Sequence, residues 1–404
     1  MLHSPIGPTN FPFHESKLGG FSSELWGVYG IYIHIPFCRT ACHYCDFHFS
    51  TNLRTMEAMG EALLKELEWK VSAASGSVST LYFGGGTPSL FSLDALEKLV
   101  EKSAAAGGSL SEITLEANPE DITPQRLKAW LSMGINRLSI GVQTFDDNRL
   151  QWMNRAHTGQ QAIEAIEAAY GAGFKHLSAD LIYGLPDRTA PFSRDLEKAC
   201  SLPVDHLSAY ILTVEDRTVL GKNVRKGVDS VAPESLVEAE YAELCAHASK
   251  AGFDHYEVSN FARPKGYAQH NQHYWTGQPY LGIGPGAHGF DGKKRSANAS
   301  NNPRYIAQVS NANKLNDIKI ESEVLTKRDR YNEHLMTGLR TKKGVDVAAL
   351  ESSFGFNPIA EDPALWSRYI NDQTILALGG SRFRIHEDKW LIADRVASAF
   401  FAID

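Results

Sequence analysis

At 404 residues, 43% of them hydrophobic, the chain is larger than a single small module and can bury the core of one large domain plus a smaller one. Its formal charge of −7, from 40 Lys and Arg against 47 Asp and Glu, argues against a general nucleic-acid binder, which needs a basic face. No stretch approaches the run of about 20 apolar residues that spans a bilayer, and residues 1–27 lack a basic segment leading into an apolar one. A cytoplasmic protein without a transmembrane segment is expected, with peripheral membrane contact left open.

Residues 1–27 hold Pro5, Pro8 and Pro12 without helix or strand periodicity and read as an irregular N-terminal tail. From Val28 onward, short apolar runs alternate with amphipathic helical stretches, the mark of repeated βα units on a parallel sheet. Strands are expected near Ile33, Tyr82, Leu115, Ile140, Leu181 and Ala209. Thr123 before Pro124 suits an N-cap with a first-turn proline, Thr158 with Gln161 a capping box, and Gly134 and Gly173 helix ends. Six units are fewer than the eight of a closed barrel. The fold class is therefore α/β, an open, partial six-unit βα barrel over residues 28–260 with its site at the carboxyl ends of the strands.

Directly after the first strand, Cys38, Cys42 and Cys45 place three of the five cysteines in one short loop. A disulfide would leave one thiol unpaired, and a Cys3His zinc site could recruit His34, His43 or His48. Three thiolates also suit a [4Fe–4S] cube with one open iron, which the amine and carboxylate of S-adenosylmethionine (SAM) could chelate. The C-x3-C-x2-C spacing with Tyr44 before the third cysteine resembles the signature of the radical SAM superfamily. Later strand ends carry Gly84-Gly85-Gly86-Thr87-Pro88-Ser89, where absent side chains let backbone approach a ligand, then Glu116-Ala117-Asn118-Pro119, Gly141-Val142-Gln143-Thr144-Phe145 and Asp180 through Pro186. Cys200 and Cys245 read as ordinary buried thiols.

Downstream, Ser235 and Glu238 form a capping-box pattern opening a helix to Gly252, followed by a strand at 255–259. Residues 261–320 read as a loop-rich connection holding His270-Asn271-Gln272-His273-Tyr274-Trp275. Helical patterns around 321–342, 346–354 and 361–377 precede an expected hairpin of 382–386 against 390–393, turned at Glu387-Asp388. This makes 321–404 a small helical, winged-helix-like domain. With 11 Lys and Arg against 13 Asp and Glu it lacks the charge of a DNA reader, so packing or docking is expected of it.

Together these motifs resemble the oxygen-independent coproporphyrinogen III oxidase-like branch of the radical SAM superfamily, most closely its heme chaperones of the HemW type, from about Val28 to the C-terminus. The pieces that carry the likeness are Tyr32 ahead of Cys38, the cysteine triad followed by Asp46-Phe47, the strand-end motifs from Gly84 to Pro186, and His270 to Trp275. The resemblance implies that Cys38, Cys42 and Cys45 ligate a [4Fe–4S] cluster. It also implies that Tyr32, Tyr44, Gly85, Gly86, Thr87, Glu116, Gln143, Arg155 and Asp180 surround SAM, whose reductive cleavage gives methionine and a 5′-deoxyadenosyl radical.

The resemblance implies one of two functions. One is a porphyrin-biosynthesis enzyme, the oxidase, whose radical starts propionate decarboxylation. The other is a chaperone that binds heme and hands it to a recipient protein. The oxidases typically carry a cysteine two positions after the third cluster cysteine, where this chain has Phe47, and the chaperones typically carry His-Asn-x-x-Tyr-Trp. The chaperone reading, without oxidase activity, is therefore preferred, with His270 and His273 as candidate heme ligands. Its implied partners are heme, an unidentified recipient, an electron donor such as a flavodoxin or ferredoxin, and no nucleic acid.

Overall fold

The computed structural model describes residues 27–186 and 190–403, so the expected tail lies, up to residue 26, outside the described residues. The sheet is built outward from β1 (Val28–Ile35), whose Ile31, Ile33 and Ile35 are fully buried in the main core. The alternate residues Tyr32 and His34 face the cavities at the sheet's inner surface. β2 (Ser77–Gly85), β3 (Glu112–Ala117), β4 (Arg137–Gln143), β5 (His176–Tyr183) and β6 (His206–Ile211) lie side by side, all parallel.

Between them run α1 (Met56–Ala73), α2 (Leu93–Ala104), α3 (Pro124–Ser132), the short α4 (Asp147–Trp152), α5 (Gly159–Ala172) and α6 (Phe192–Ser201). The expected helix signals hold. Thr123 caps α3 through Arg126 N–H, Thr158 and Gln161 form the capping box of α5, and Gly173 ends α5 in the left-handed conformation at φ 118°.

After β6 come α7 (Val219–Arg225), α8 (Glu234–Lys250), β7 (Asp254–Glu257), β8 (Asn260–Ala262), α9 (Gln269–Thr276), β9 (Tyr280–Ile283), β10 (His288–Phe290), β11 (Lys294–Ala297), α10 (Asn302–Asn311) and β12 (Glu321–Val324). The sheet order is β12-β11-β10-β9-β1-β2-β3-β4-β5-β6-β8-β7. The edge strands β12 and β7 do not meet, so the barrel stays open.

Four local expectations are corrected. The stretch 261–320, read as loop-rich, carries two helices and four strand segments, because its short apolar runs find partners at the sheet edges that periodicity alone does not reveal. α8 starts at Glu234 after an extended Pro233, which puts Ser235 inside the first turn with no side-chain cap. Residues 321–324, read as helix, alternate along β12 beside β11. The hairpin pairs β15 (Arg382–Ile385) with the preceding β14 (Ile375–Gly379), because Gly379 and Gly380 supply φ of 103° and 59° for the turn, while Glu387–Ile392 winds into a 3-10 helix.

The C-terminal unit contains α11 (Lys327–Leu339), β13 (Val345–Asp346), α12 (Val347–Phe354), α13 (Pro358–Glu361), α14 (Pro363–Asn371) and α15 (Ala393–Ser398). Its antiparallel sheet has the order β13-β15-β14.

One buried ion pair fastens α1 to the strand beside β1. Glu66 accepts from Lys70 Nζ at 2.7 Å, from Gly284 N–H at 2.8 Å, from Asn298 Nδ2 at 2.7 Å and from the Tyr305 hydroxyl at 2.6 Å. Lys70 also donates to the Gly282 carbonyl at 2.7 Å. Both charges are met by hydrogen-bond partners besides each other, which offsets the cost of burying them.

Candidate functional site

The inner faces of the parallel strands are polar at successive positions, since a period of two sends every second residue inward. Glu116, Ser139 and Ser178 lie in register across β3, β4 and β5, and Asp180 pairs across to Ser208. Asp180 sits in the middle of β5, deeper than the strand ends. Its carboxylate accepts from Ser139 at 2.8 Å and from Ser178 at 2.9 Å. Burial pushes its pKa up, and those hydroxyls pull it back.

Glu116 accepts from the Tyr82 hydroxyl at 2.8 Å and from Gly85 N–H at 3.1 Å. Burial nevertheless raises its carboxyl to about 7. It therefore changes charge near neutral pH, where an ordinary carboxylate does not.

The cysteine loop is pinned above these groups. Cys38 N–H donates to the Ser50 carbonyl at 3.1 Å, His43 N–H to the Met153 carbonyl at 3.1 Å and Leu220 N–H to the His43 carbonyl at 2.8 Å. Cys38, Cys42, Tyr44 and Cys45 line the same cavity as Tyr32, Gly85, Gly86, Thr87, Glu116, Gln143, Arg155 and Asp180. Each of the residues expected around SAM and the cluster is therefore brought to one place.

Gly86 is required there. A Cβ on it would lie 2.7 Å from the Phe37 carbonyl oxygen and 3.0 Å from Cys38 Sγ. Burial pushes the Cys38 thiol up to about 11 and the Cys45 thiol up to about 12, so a bound metal has to displace their protons.

The histidines weighed for a zinc site have other partners. His34 shares bonds with the Tyr32 hydroxyl and the His48 carbonyl, His43 bonds the Trp152 carbonyl, and His48 bonds Asn302. Among the described residues no three His, Cys, Asp or Glu side chains are gathered as ligands of a single ion.

Arg155 is the hub of the rim. It donates to Asn118 Oδ1 at 2.7 Å, to the Gly141 carbonyl at 2.8 Å and to Cys42 Sγ at 3.6 Å. Asn118 in turn donates to Thr87 Oγ1 at 3.3 Å, and Thr87 to Cys38 Sγ at 3.5 Å. A single chain of polar contacts thus joins two of the cysteines. Burial opposes the charge of Arg155, but Tyr44, Cys42 and Glu120 outweigh it and hold the guanidinium protonated. Gln143 ends β4 at φ 68°, left-handed for a residue with a Cβ, and its buried Oε1 has no partner. Arg155 Nε is likewise buried and unpartnered. The rim thus holds an unused acceptor and an unused donor, both buried.

Two relatives, each matched over four-fifths of the chain, decide the family. A heme chaperone HemW from Lactococcus lactis is 36% identical over 327 residues, covering 80% of this chain and 84% of that protein. Another from Bacillus subtilis is 35% identical over 331 residues, covering 80% and 86%. The chain belongs to the HemW type of the radical SAM superfamily. The radical SAM superfamily pattern matches residues 32–199, and the HemN C-terminal domain pattern matches residues 325–385. The solved coproporphyrinogen III oxidase HemN from Escherichia coli superposes with a TM-score of 0.80 over 94% of this chain and 91% of its own, at 21% identity, a likeness of fold.

In this HemW-type chain the hexapeptide His270–Trp275 is no loop but part of α9, which closes the inner floor of the sheet. Glu112 caps that helix by accepting from Gln269 and His270 N–H, each at 2.9 Å. His270 is buried with both ring nitrogens engaged, Nδ1 with Thr80 and Nε2 with the Tyr274 hydroxyl, each at 2.8 Å. His273 is buried too. Its Nδ1 has no partner, but Gly30 packs so closely that a Cβ there would lie 2.8 Å away. The two expected heme ligands are therefore held in the floor, apart from the strand-end rim.

Asn118, Ser139, Ser178 and Tyr82 are site residues to which the sequence alone assigns no role. The signal for Tyr82 and the serines was the period-two inward register of the strands.

Proposed function

We propose that the protein is a heme chaperone that carries a [4Fe–4S] cluster and SAM, binds heme and passes it to a recipient protein, with a flavodoxin- or ferredoxin-type electron donor. The observation that carries this reading is similarity over four-fifths of the chain to relatives bearing that name. Phe47 stands where the oxidases typically have an extra cysteine, and it lines the cavity.

The residues present fit the cofactors. Cys38, Cys42 and Cys45 would hold the cluster, in a cradle that a side chain at Gly86 would fill. Tyr32, Tyr44, Gly85, Gly86, Thr87, Glu116, Gln143, Arg155 and Asp180 would line SAM. When reduced, the cluster supplies one electron to the sulfonium of SAM.

The protein's own part is binding and proton placement. Arg155 offers its unpartnered Nε to a carboxylate, and Gln143 Oε1 accepts from an amine or hydroxyl. Glu116 takes or releases a proton near pH 7 as a cation arrives or leaves. Asp180, held by serine hydroxyls, is a fixed acceptor deeper in the cavity.

The test is made on anaerobically reconstituted protein with SAM and reductant. Expected are a defined Soret spectrum on heme addition, transfer of that heme to an apo-hemoprotein, and no conversion of coproporphyrinogen III. Formation of protoporphyrinogen in a single turnover would assign the oxidase reaction instead.

A further inference from the structure

The cysteine loop is covered by one element that the proposed function does not use, α7. Leu220 N–H of α7 donates to the carbonyl of His43, between Cys42 and Cys45, at 2.8 Å. Leu220 belongs to a small buried cluster with Tyr44, Met153, Ile182 and Leu185, and Cys42, Cys45 and Val224 pack against that cluster. The flanks of α7 hold on as well. Arg217 pairs with Asp46 of the loop, and Asp229 accepts from the Trp152 indole at 2.9 Å. Gly221 has no room for a Cβ against the Glu215 carbonyl, so the helix is seated tightly. A helix with its side chains is about 10–12 Å across, and a single one therefore separates Cys42 and Cys45 from the solvent beyond α7.

The outer face of α7 runs against the charge of the chain. Residues 217–228 hold four basic side chains, Arg217, Lys222, Arg225 and Lys226, and no acidic one, in a chain of net charge −7. Two of the four are committed, Arg217 to Asp46 and Arg225 to Asp216 at 2.6 Å. Lys222 and Lys226 are exposed and form no ion pair among the described residues. Of the flanking acids, Asp229 is taken up by Trp152 and Asn223, and Glu215 lines the cavity beside the loop. Apolar side chains stand among the lysines. Val219, Val228 and Val231 are 42%, 71% and 57% exposed. Gathered in one stretch rather than scattered singly, they and the two free cations describe a contact surface.

We infer that this face of α7 is where an acidic one-electron carrier protein docks to reduce the cluster. The inference rests on the proposed cluster and electron donor and adds the place where the electron enters. One electron leaves the reduced carrier, which is oxidised by one equivalent, and is gained by the cluster that Cys38, Cys42 and Cys45 hold; no atom is transferred. Charge selects the partner. Lys222 and Lys226 attract an acidic surface against the repulsion of the remaining chain and so orient the encounter. The bond from Leu220 N–H to His43 then links the docked face to the loop. An anionic lipid surface would meet the same lysines and valines, but the position of α7 over two cysteines has meaning only for an electron carrier.

The cluster-loaded, full-length chain is mixed anaerobically with a flavodoxin of strongly negative net charge. Calorimetry measures binding of the oxidised flavodoxin, and stopped flow follows bleaching of the cluster by the photoreduced form. The variant is Lys222→Glu with Lys226→Glu. A control with the same charge change, Lys128→Glu with Lys198→Glu, alters exposed lysines of α3 and α6. Iron content and circular dichroism check that each variant loads and folds. Expected for the α7 pair at low salt is a loss of at least about tenfold in affinity and in bimolecular rate, shrinking as salt rises to about 0.5 M, with the control close to wild type. Reduction by dithionite, which needs no docking, is expected to stay as in wild type. Equal losses in the two double variants, no loss in the α7 pair, or no binding by the wild type would overturn the docking surface while leaving the chaperone reading standing. So would vesicles of phosphatidylglycerol that bind the wild type but not the α7 pair, with flavodoxin rates unchanged. A wild-type chain that loads no [4Fe–4S] cluster, or whose cluster dithionite does not reduce, would overturn both.

Discussion

On the proposed placement of SAM beside it, Glu116 ties the affinity for SAM to pH. In the folded chain its carboxyl is raised from 4.5 to about 7 by burial, so between those values the folded state holds a proton that the unfolded state has released. Stability therefore declines as pH rises through that window, and the ionised carboxylate is left calling for a positive partner. SAM carries an amine and a sulfonium, and either it or a ribose hydroxyl is better received by the ionised form. With a pKa near 7, the ionised fraction falls about tenfold from pH 8 to pH 6, and the affinity for SAM should fall by about the same factor. Glu116→Gln keeps the shape and removes the titration. Calorimetry or equilibrium dialysis of the cluster-loaded protein at the two pH values, wild type against variant, measures the difference. Any titration of SAM itself is common to both proteins and drops out of the ratio. Equal pH dependence in the two would refute the placement of Glu116 against SAM.

Anaerobic reconstitution should load about four irons and four sulfides per chain, and Cys38→Ala, Cys42→Ala or Cys45→Ala should each abolish this, as iron and sulfide analysis will read; tightly bound zinc without sulfide would contradict it. Arg155→Lys cannot serve Asn118, Gly141 and Cys42 together, so SAM binding should weaken by at least about tenfold while cluster content stays near that of wild type. Lys70→Met leaves Glu66 buried and charged without its partner, and urea unfolding should show a loss of roughly 3–5 kcal/mol.

The sequence made the parallel strands and the rim legible because both are local. An apolar run fixes a strand, and the residues at or just beyond its end form the rim, so Cys38, Gly86, Glu116 and Gln143 could be assigned to one face before any contact was known. The floor was not local. α9 is only eight residues long with no apolar periodicity, and it is stabilised by Glu112, which lies 157 residues away in sequence from Gln269. The same reason hid the hairpin partner of β15, where two glycines before the strand outweighed an acidic pair after it. Asn118 was visible as part of a motif, but its linking position between Arg155 and Thr87 exists only in the folded chain.

The geometry of α9 also changes what experiments on the hexapeptide mean. One turn of helix carries His270 and Tyr274 to the same side, where Tyr274 satisfies His270 Nε2 and Thr80 satisfies Nδ1. Replacing His270 with alanine frees two buried polar partners and removes part of the floor beneath Tyr82, whose ring lies 5.2 Å from it. Tyr82 in turn donates to Glu116. The disturbance therefore reaches Glu116 through two contacts, without any iron being involved. Trp275, on the other side of the helix, lines the cleft that holds His334. A motif variant that loses heme can do so by shifting α9 against α11, so loss of affinity alone does not identify the ligand. Only a changed iron spectrum with retained fold does.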